Sequence, residues 1–222
     1  MNKLLYLLQL ASPALPIGAY SYSEGLETLV IDQIIIDKNT LENWIKTNLN
    51  SGYIRIETAL MLRAYKAVQL GELNTLIKWN HWATAARESE ELRQQSAQMG
   101  NSLIKLLLDL KLPLQEIATA MGKPCNYPIA FGIAAAHWEI DSQAAILGYL
   151  QSWATNLITA GVKLIPLGQT TGQKILLELQ STLINTSQDI LALEDDDLSS
   201  CSWGLSLASM KHETLYSRLF RS

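Results

Sequence analysis

Apolar residues recur every three or four positions along most of the chain, and this periodicity constrains the fold more than any other feature. It is clear in residues 54–70, 88–110 and 142–164. Such spacing gives a helix one apolar face, whereas a half-buried strand requires strict alternation. Only VIDQIIID, at residues 30–37, is ambiguous between the two patterns. We therefore predict one all-α domain, residues 1–222, with about eight to ten helices.

Local signals for helix starts and ends set the predicted boundaries. Thr40 is the expected N-cap of one helix, and Gly71 lies just after the expected end of the next. Pro166 ends the long helix that Asp141 or Ser142 begins. The predicted helices cover residues 41–49, 54–70, 72–86, 88–110, 142–164, 172–185 and 205–216, with a short helix after Pro113, another from Pro128, and a helical pattern starting at Glu24.

The composition excludes several classes of protein. A net charge of -4 and a pI near 5.4 argue against a general nucleic-acid binder, which usually carries a basic stripe. The chain has no apolar run of about 18 residues or more, and no signal-peptide cleavage site follows its first apolar segment. Cys125 and Cys201 are the only cysteines, which suits a reducing compartment. We expect a cytoplasmic protein that binds neither nucleic acid nor membrane.

Two short motifs resemble catalytic or nucleotide-binding signatures but lack required residues. In SYSEG (residues 21–25), Ser23 has a glycine two positions after it but a serine two positions before it, where a nucleophile elbow needs glycine. In GQTTGQK (residues 168–174), only three residues separate the glycines, Gln173 precedes the lysine, and Ile175 replaces the Ser or Thr of a phosphate loop. We expect neither a hydrolase nucleophile nor nucleotide binding by the chain alone.

The histidines and clustered acids do not form a recognisable metal site or catalytic pair. His81, His137 and His212 lie far apart, and none has a second His or Cys three or four positions away. A run of charges favours a solvated helix face on which Arg87 and Glu91 are spaced to pair. The members of this run are Arg87, Glu88, Glu90, Glu91 and Arg93. We expect no cofactor and no preformed metal site.

The first loop of the chain, SPALPIGAYSYSEG at residues 12–25, favours protein binding. Its two prolines restrict the backbone, which lowers the entropy lost when a partner orders it. Tyr20 and Tyr22 are amphipathic aromatic side chains of the kind that interfaces favour. We interpret this loop as a recognition surface.

The C-terminal segment, residues 209–222, also favours protein binding. Its three bases and one acid give it a net charge of +2 in a protein whose net charge is -4. Within its end, SRLFRS, Phe220 and Arg221 extend past the last helical turn that we predict, and a free terminus normally frays. We therefore expect a partner to bury Leu219 and Phe220 and to pair with Arg218.

Four segments, in order, closely resemble signatures of the UreF family of urease accessory proteins. They are LLQLASPALPIGAYSYSEGLE (7–27), AARESEELRQQSAQMGNSL (85–103), LIPLGQTTGQKIL (164–176) and SMKHETLYSRLFRS (209–222). Together they span nearly the whole chain, which makes the resemblance specific. Glu24 departs from the family pattern, because many members carry Gln at that position.

The resemblance implies an all-α homodimer without catalytic activity. It implies an assembly factor that bridges UreD (also called UreH) and the GTPase UreG during nickel delivery to the subunits of apo-urease. It assigns UreD to the C-terminal segment, and it places the turn around Pro166 near the dimer core and the side facing UreG. The expected partner-binding residues are Tyr20, Tyr22, Glu24, Lys163, Gln169, Gln173, Arg218, Leu219, Phe220 and Arg221.

Two alternative functions stay open at this stage. The protein could stimulate the GTPase activity of UreG by inserting an arginine or glutamine into its active site, for which Arg87, Arg93 and Gln169 are candidates. It could also be a helical module that binds an unrelated partner. A GTPase assay with and without this protein separates chaperone from activator, and neighbouring urease genes would argue against the unrelated module.

Overall fold

A computed structural model describes residues 2–199 and 202–222. These residues form twelve α-helices and two short 3-10 turns, at Ala19–Ser21 and Asp195–Asp197. The helices are α1 (Asn2–Leu10), α2 (Leu26–Ile31), α3 (Lys38–Ser51), α4 (Tyr53–Leu70), α5 (Leu73–Ala85), α6 (Glu90–Asp109), α7 (Gln115–Met121), α8 (Tyr127–His137), α9 (Ser142–Leu164), α10 (Gln169–Glu178), α11 (Gln180–Ala192) and α12 (Trp203–His212). The described residues contain no strand, so the prediction of an all-α fold is confirmed.

The predicted helix count is slightly low, because no helix was predicted for α1 and because two helices share the segment predicted as one helix at residues 172–185. VIDQIIID contains the end of α2, at Ile31, and a turn that leads to α3. Residues 172–185, predicted as one helix, belong to α10 and α11, which meet at the fully buried Leu179 and both pack against α9. The last helix ends at His212 rather than near Tyr216.

Capping side chains define several helix ends. Asp37, not Thr40, is the N-cap of α3: the Asp37 carboxylate accepts a hydrogen bond from the Thr40 amide at 2.8 Å, and the Thr40 hydroxyl accepts one from the Asp37 amide at 3.0 Å. This capping box starts α3 earlier than predicted. Asp141 caps α9 as expected, accepting from the Ala144 amide at 3.0 Å. Gly71 ends α4 with a φ of 70°, a conformation that favours glycine.

Helix α8 is the centre of the hydrophobic core. Nearly all of its residues are buried, because α4 and α6 pack against it. Gly132 permits the close approach of α4: a Cβ at this position would lie 2.4 Å from the Met61 carbonyl oxygen. Although α8 is apolar on every side, no helix in the described ranges is long and apolar enough to cross a membrane.

Candidate partner-binding site

The C-terminal tail, residues 213–222, lies against the loop that precedes α2. The main-chain oxygen of Ser222 accepts hydrogen bonds from the Ser23 amide at 2.6 Å and the Ser23 hydroxyl at 2.7 Å. The Ser222 hydroxyl donates to Gln95 Oε1 of α6 at 2.6 Å, and the Arg221 amide donates to the Ser21 carbonyl at 2.8 Å. The loop before α2 and the C-terminal tail therefore form one structural unit.

Glycine conformations allow the loop to meet both the tail and α12. Gly18 and Gly25 have φ values of 81° and 75°, and Glu24 has a φ of 53°. A Cβ on Gly25 would lie 2.9 Å from the Ser209 amide nitrogen, so any larger residue would push α12 away. This turn directs Glu27, in the first turn of α2, towards the tail.

Glu27 is the buried anion that holds the tail. Its Oε1 accepts from the Leu219 amide at 2.7 Å, and its Oε2 accepts from the Phe220 amide at 3.0 Å. Its Oε2 also lies 3.2 Å from His212 Nε2. A carboxylate that accepts several N–H bonds in a buried site provides strong, charge-assisted contacts.

His212 connects Glu27 to a second carboxylate. The ring is fully buried, and its Nδ1 lies 2.7 Å from Glu91 Oε2. Glu91 Oε1 also accepts from Arg218 Nη1 at 2.5 Å. The His212 ring therefore lies between the two carboxylates, and Glu91 links it to Arg218 of the tail.

The tail packs against its own chain, which corrects the expectation that Phe220 awaits a partner. Phe220 is only 6% exposed, and Lys163 Nζ of α9 lies 5.6 Å from the centroid of its ring. The contacts with Glu27 and Glu91 and the Ser23 bonds order the tail, and Phe220 then gains a buried apolar environment within the monomer. Leu219 (65% exposed) does point outward, as expected of a residue that a partner would cover.

Tyr22 and Glu24 face inward beside the tail. Tyr22 is buried, and its hydroxyl donates to Gln98 Oε1 at 2.7 Å. Burial raises the pKa of this phenol, while Arg221 acts in the opposite direction. The Glu24 carboxylate accepts from Gln95 Nε2 at 3.1 Å and from Trp153 Nε1 at 2.9 Å. Both neighbours are donors, so this position requires acceptor oxygens.

The prediction that Arg87 lies on a solvated face is wrong. Arg87 pairs in the interior with Glu57 of α4. The two side chains are 5% and 7% exposed, and the Arg87 guanidinium also lies 4.5 Å from the Tyr53 ring centroid. Burial raises the pKa of the Glu57 carboxyl to about 7, although Arg87 acts in the opposite direction. Because Arg87 is held inside the fold, it is not available to enter the active site of a GTPase. The predicted pairing of Arg87 with Glu91 is also wrong, because Glu91 binds His212 and Arg218 instead.

The remaining predicted residues lie outside the buried unit. Tyr20 is 68% exposed on the loop, and Gln169 and Gln173 are exposed on α10, where they make no hydrogen bond to the tail. Arg93 binds Glu90 and the Arg87 carbonyl at the surface end of α6. Among residues 2–199 and 202–222, no group of three or more His, Cys, Asp or Glu side chains could hold a metal. Cys125 is a buried free thiol, and Cys201 lies outside the described residues.

The sequence did not predict that Glu27, Glu91, Gln95 and Ser23 position the tail. Glu27 and Glu91 contact residues 185 and 121 positions away, so no local motif marks them. The residue spacing around His212 gave no indication of the two carboxylates that lie beside the ring.

Comparison with known proteins gives consistent similarity over the whole chain. The family model described as UreF matches residues 35–180. The urease accessory protein UreF of a Nostoc species is 60% identical over 218 residues, which cover 98% of this chain and 95% of that protein. The protein of the same name from Microcystis aeruginosa is 54% identical over 221 residues, covering 100% and 98% of the two chains. That of Alkalilimnicola ehrlichii is 39% identical over 215 residues, covering 96% and 93%.

Proposed function

Because this chain belongs to the UreF family of urease accessory proteins, with a role in urease maturation, we propose that it is a non-catalytic chaperone that bridges UreD (UreH) and the GTPase UreG. In this proposal the complex inserts nickel into apo-urease, and the nickel ion is cargo rather than a cofactor of this chain. The protein acts in the cytoplasm as a homodimer. Nucleotide hydrolysis belongs to UreG.

The observation that supports a partner surface most directly is the outer face of the docked tail. Tyr216 is fully exposed, Leu219 is 65% exposed, and Tyr20 is 68% exposed on the loop that the tail contacts. The basic side chains of Arg218 and Arg221 are also accessible here. Exposed aromatic and apolar groups next to arginines are typical of protein interfaces.

The buried half of the tail supplies the rigidity that such a surface needs. Phe220 and Ser222 anchor the segment, so Leu219 is presented in one conformation before the partner arrives. A preordered surface loses less entropy on binding than a frayed terminus. The proposed contact with UreD therefore uses the outer side of the tail, not Phe220 itself.

A pair of matched substitutions tests this proposal. Leu219→Asp places a charge on the outer face of the tail, and Leu70→Asp does the same at a residue of similar exposure, 70%, at the end of α4. Both proteins should fold with unchanged helicity by circular dichroism. With UreD and UreG co-expressed, Leu219→Asp should abolish co-purification of UreD and activation of urease, while Leu70→Asp should preserve both. Wild-type recovery of UreD by Leu219→Asp would contradict the assignment of this face.

Size-exclusion chromatography and nickel analysis of the co-expressed complex test the bridging role. We expect one complex that contains this chain, UreD and UreG, and no stable association of UreD with UreG when this chain is omitted. A GTPase assay of UreG with and without the protein provides a second test. An increase in GTP hydrolysis would favour the activator, with Gln169 or Arg93 rather than the buried Arg87 as the inserted residue.

A further inference from the structure

A groove between α6 and α7 lies well away from the tail and the loop. It has a volume of about 610 Å³ and opens beside residues 101–108 of α6. Glu91, which contacts the tail, and Lys105, which lines the groove, are about 21 Å apart along the helix axis. The groove is therefore separate from the surface proposed above for UreD.

The floor of the groove is apolar and firmly held. It is formed by Ile104, Leu108, Ala118 and Met121. The adjoining segment is fixed because Asn80 donates to the Pro124 carbonyl at 2.8 Å and accepts from the Asn126 amide at 2.9 Å. Gly100 brings α6 against this segment, since a Cβ there would lie 2.1 Å from the Cys125 carbonyl oxygen. Such a groove is formed before any ligand enters.

Three polar side chains that line the groove, Asn101, Lys105 and Lys123, keep donor groups that are not used within the described residues. Lys105 and Lys123 line the groove, and neither forms an ion pair in residues 2–199 or 202–222. Asn101 Oδ1 accepts from the Cys125 amide at 3.1 Å, which fixes the amide group and leaves its NH₂ to donate elsewhere. No acidic side chain lines the groove, although the protein as a whole has a net charge of -4.

We propose that the α6–α7 groove binds a small organic anion in which a carboxylate is attached to an apolar body. The carboxylate pairs with Lys105 and Lys123 and accepts from Asn101, and the apolar body covers the floor. The volume lies in the range of small-molecule sites, about 300–1,000 Å³. The groove follows about 10 Å of α6, comparable to an extended chain of about eight to ten carbons. A stable protein interface would need a much larger surface than this groove offers, about 800 Å² from each partner, so a small molecule is the better-fitting occupant.

Isothermal titration with three probes tests the chemistry of the ligand. Decanoate combines both features, decyltrimethylammonium keeps the chain with the opposite charge, and acetate keeps only the carboxylate. We expect decanoate to bind once per chain, with a Kd on the order of 100 µM, and the other two to bind at least tenfold more weakly. Equal binding of decyltrimethylammonium, or no saturable binding of decanoate at millimolar concentration, would overturn the proposal.

Three variants locate the binding site. The double variant Lys105→Gln/Lys123→Gln should weaken decanoate binding at least tenfold. Its control, Lys66→Gln/Lys174→Gln, removes the same charge from two exposed lysines outside the groove and should bind as wild type. Ala118→Phe fills the groove without changing the charge and should also abolish binding, with circular dichroism confirming the fold. Wild-type affinity in either groove variant, or tighter binding of the peptide acetyl-Glu-Leu-Leu-Glu-amide than of decanoate, would refute the assignment to a small anion.

Discussion

Replacing Glu27 by Gln is expected to loosen the C-terminal tail while the core stays folded. The substitution keeps the size of the side chain but removes its charge and one acceptor oxygen. In the wild type the buried carboxylate has three contacts: it accepts hydrogen bonds from the Leu219 and Phe220 amides at 2.7 and 3.0 Å, and it lies 3.2 Å from His212 Nε2. The Gln amide group would direct hydrogens towards one of these donors.

The number and type of these bonds set the size of the effect. A hydrogen bond to a charged group contributes about 1.5–3 kcal/mol, and a neutral one about 0.5–1.5 kcal/mol. Three contacts that each lose about 1 kcal/mol amount to about 3 kcal/mol of tail docking, which is about a 100-fold change in the opening equilibrium. The global free energy of unfolding should change less, because the tail can detach without opening the α4–α8 core.

Amide hydrogen exchange measures this opening directly. Protection of the Leu219 and Phe220 amides should fall by about 100-fold in Glu27→Gln. The control is Glu178→Gln, which removes an exposed carboxylate that pairs with Lys38 at 2.6 Å and should leave the tail amides unchanged. Protection of both amides that stays within about threefold of wild type would show that Glu27 does not hold the tail.

Three further predictions concern the core and the turn before α10. Glu57 has a folded pKa of about 7 against 4.5 for the free group, so its contribution to stability is complete below pH 4.5 and is lost as pH rises through 7. Urea unfolding should show that the unfolding free energy of the wild type falls by about 3 kcal/mol over this pH range and that Glu57→Gln removes this fall. An equal fall in the variant would refute the prediction. Gly132→Ala should lower the unfolding free energy by about 1–3 kcal/mol, because its Cβ would approach the Met61 carbonyl; an unchanged urea midpoint would contradict the close α4–α8 contact. Lys163→Ala combined with Gln169→Ala should reduce urease activation in cells without loss of helicity by circular dichroism; full activation would exclude this surface from partner binding.

Most helix positions could be predicted from the sequence, because the signals that start and end helices act over a few residues. Gly71 and Asp141 mark helix ends where the structure has them. The break at Leu179 could not be predicted, since no glycine or proline marks it. The break lies where α10 and α11 each pack against α9. A contact with a helix that is distant in sequence is not encoded in the local pattern.

The candidate site was predicted only in part. The sequence pointed to the loop with Tyr20 and Tyr22 and to the tail with Leu219, and the fold brings these two segments together. It did not show that Phe220 is buried, because burial depends on Lys163 and on the surfaces that the fold places around the ring. The run of charges at residues 87–93 was also misleading, because it predicted a solvated helix face whereas Arg87 is buried against Glu57.

The sequence alone determined the helical class and the amphipathic faces, because hydrophobic periodicity and capping depend on neighbours within about one or two turns. Only the tertiary structure decided the ionic partners. Arg87 meets Glu57 across 30 positions and His212 meets Glu27 across 185. A charged side chain loses hydration when it is buried, so it must pair with whichever opposite charge the packing of helices brings within reach. That choice is made by the three-dimensional arrangement of the core, and it converts two distant ends of the chain into one ordered surface.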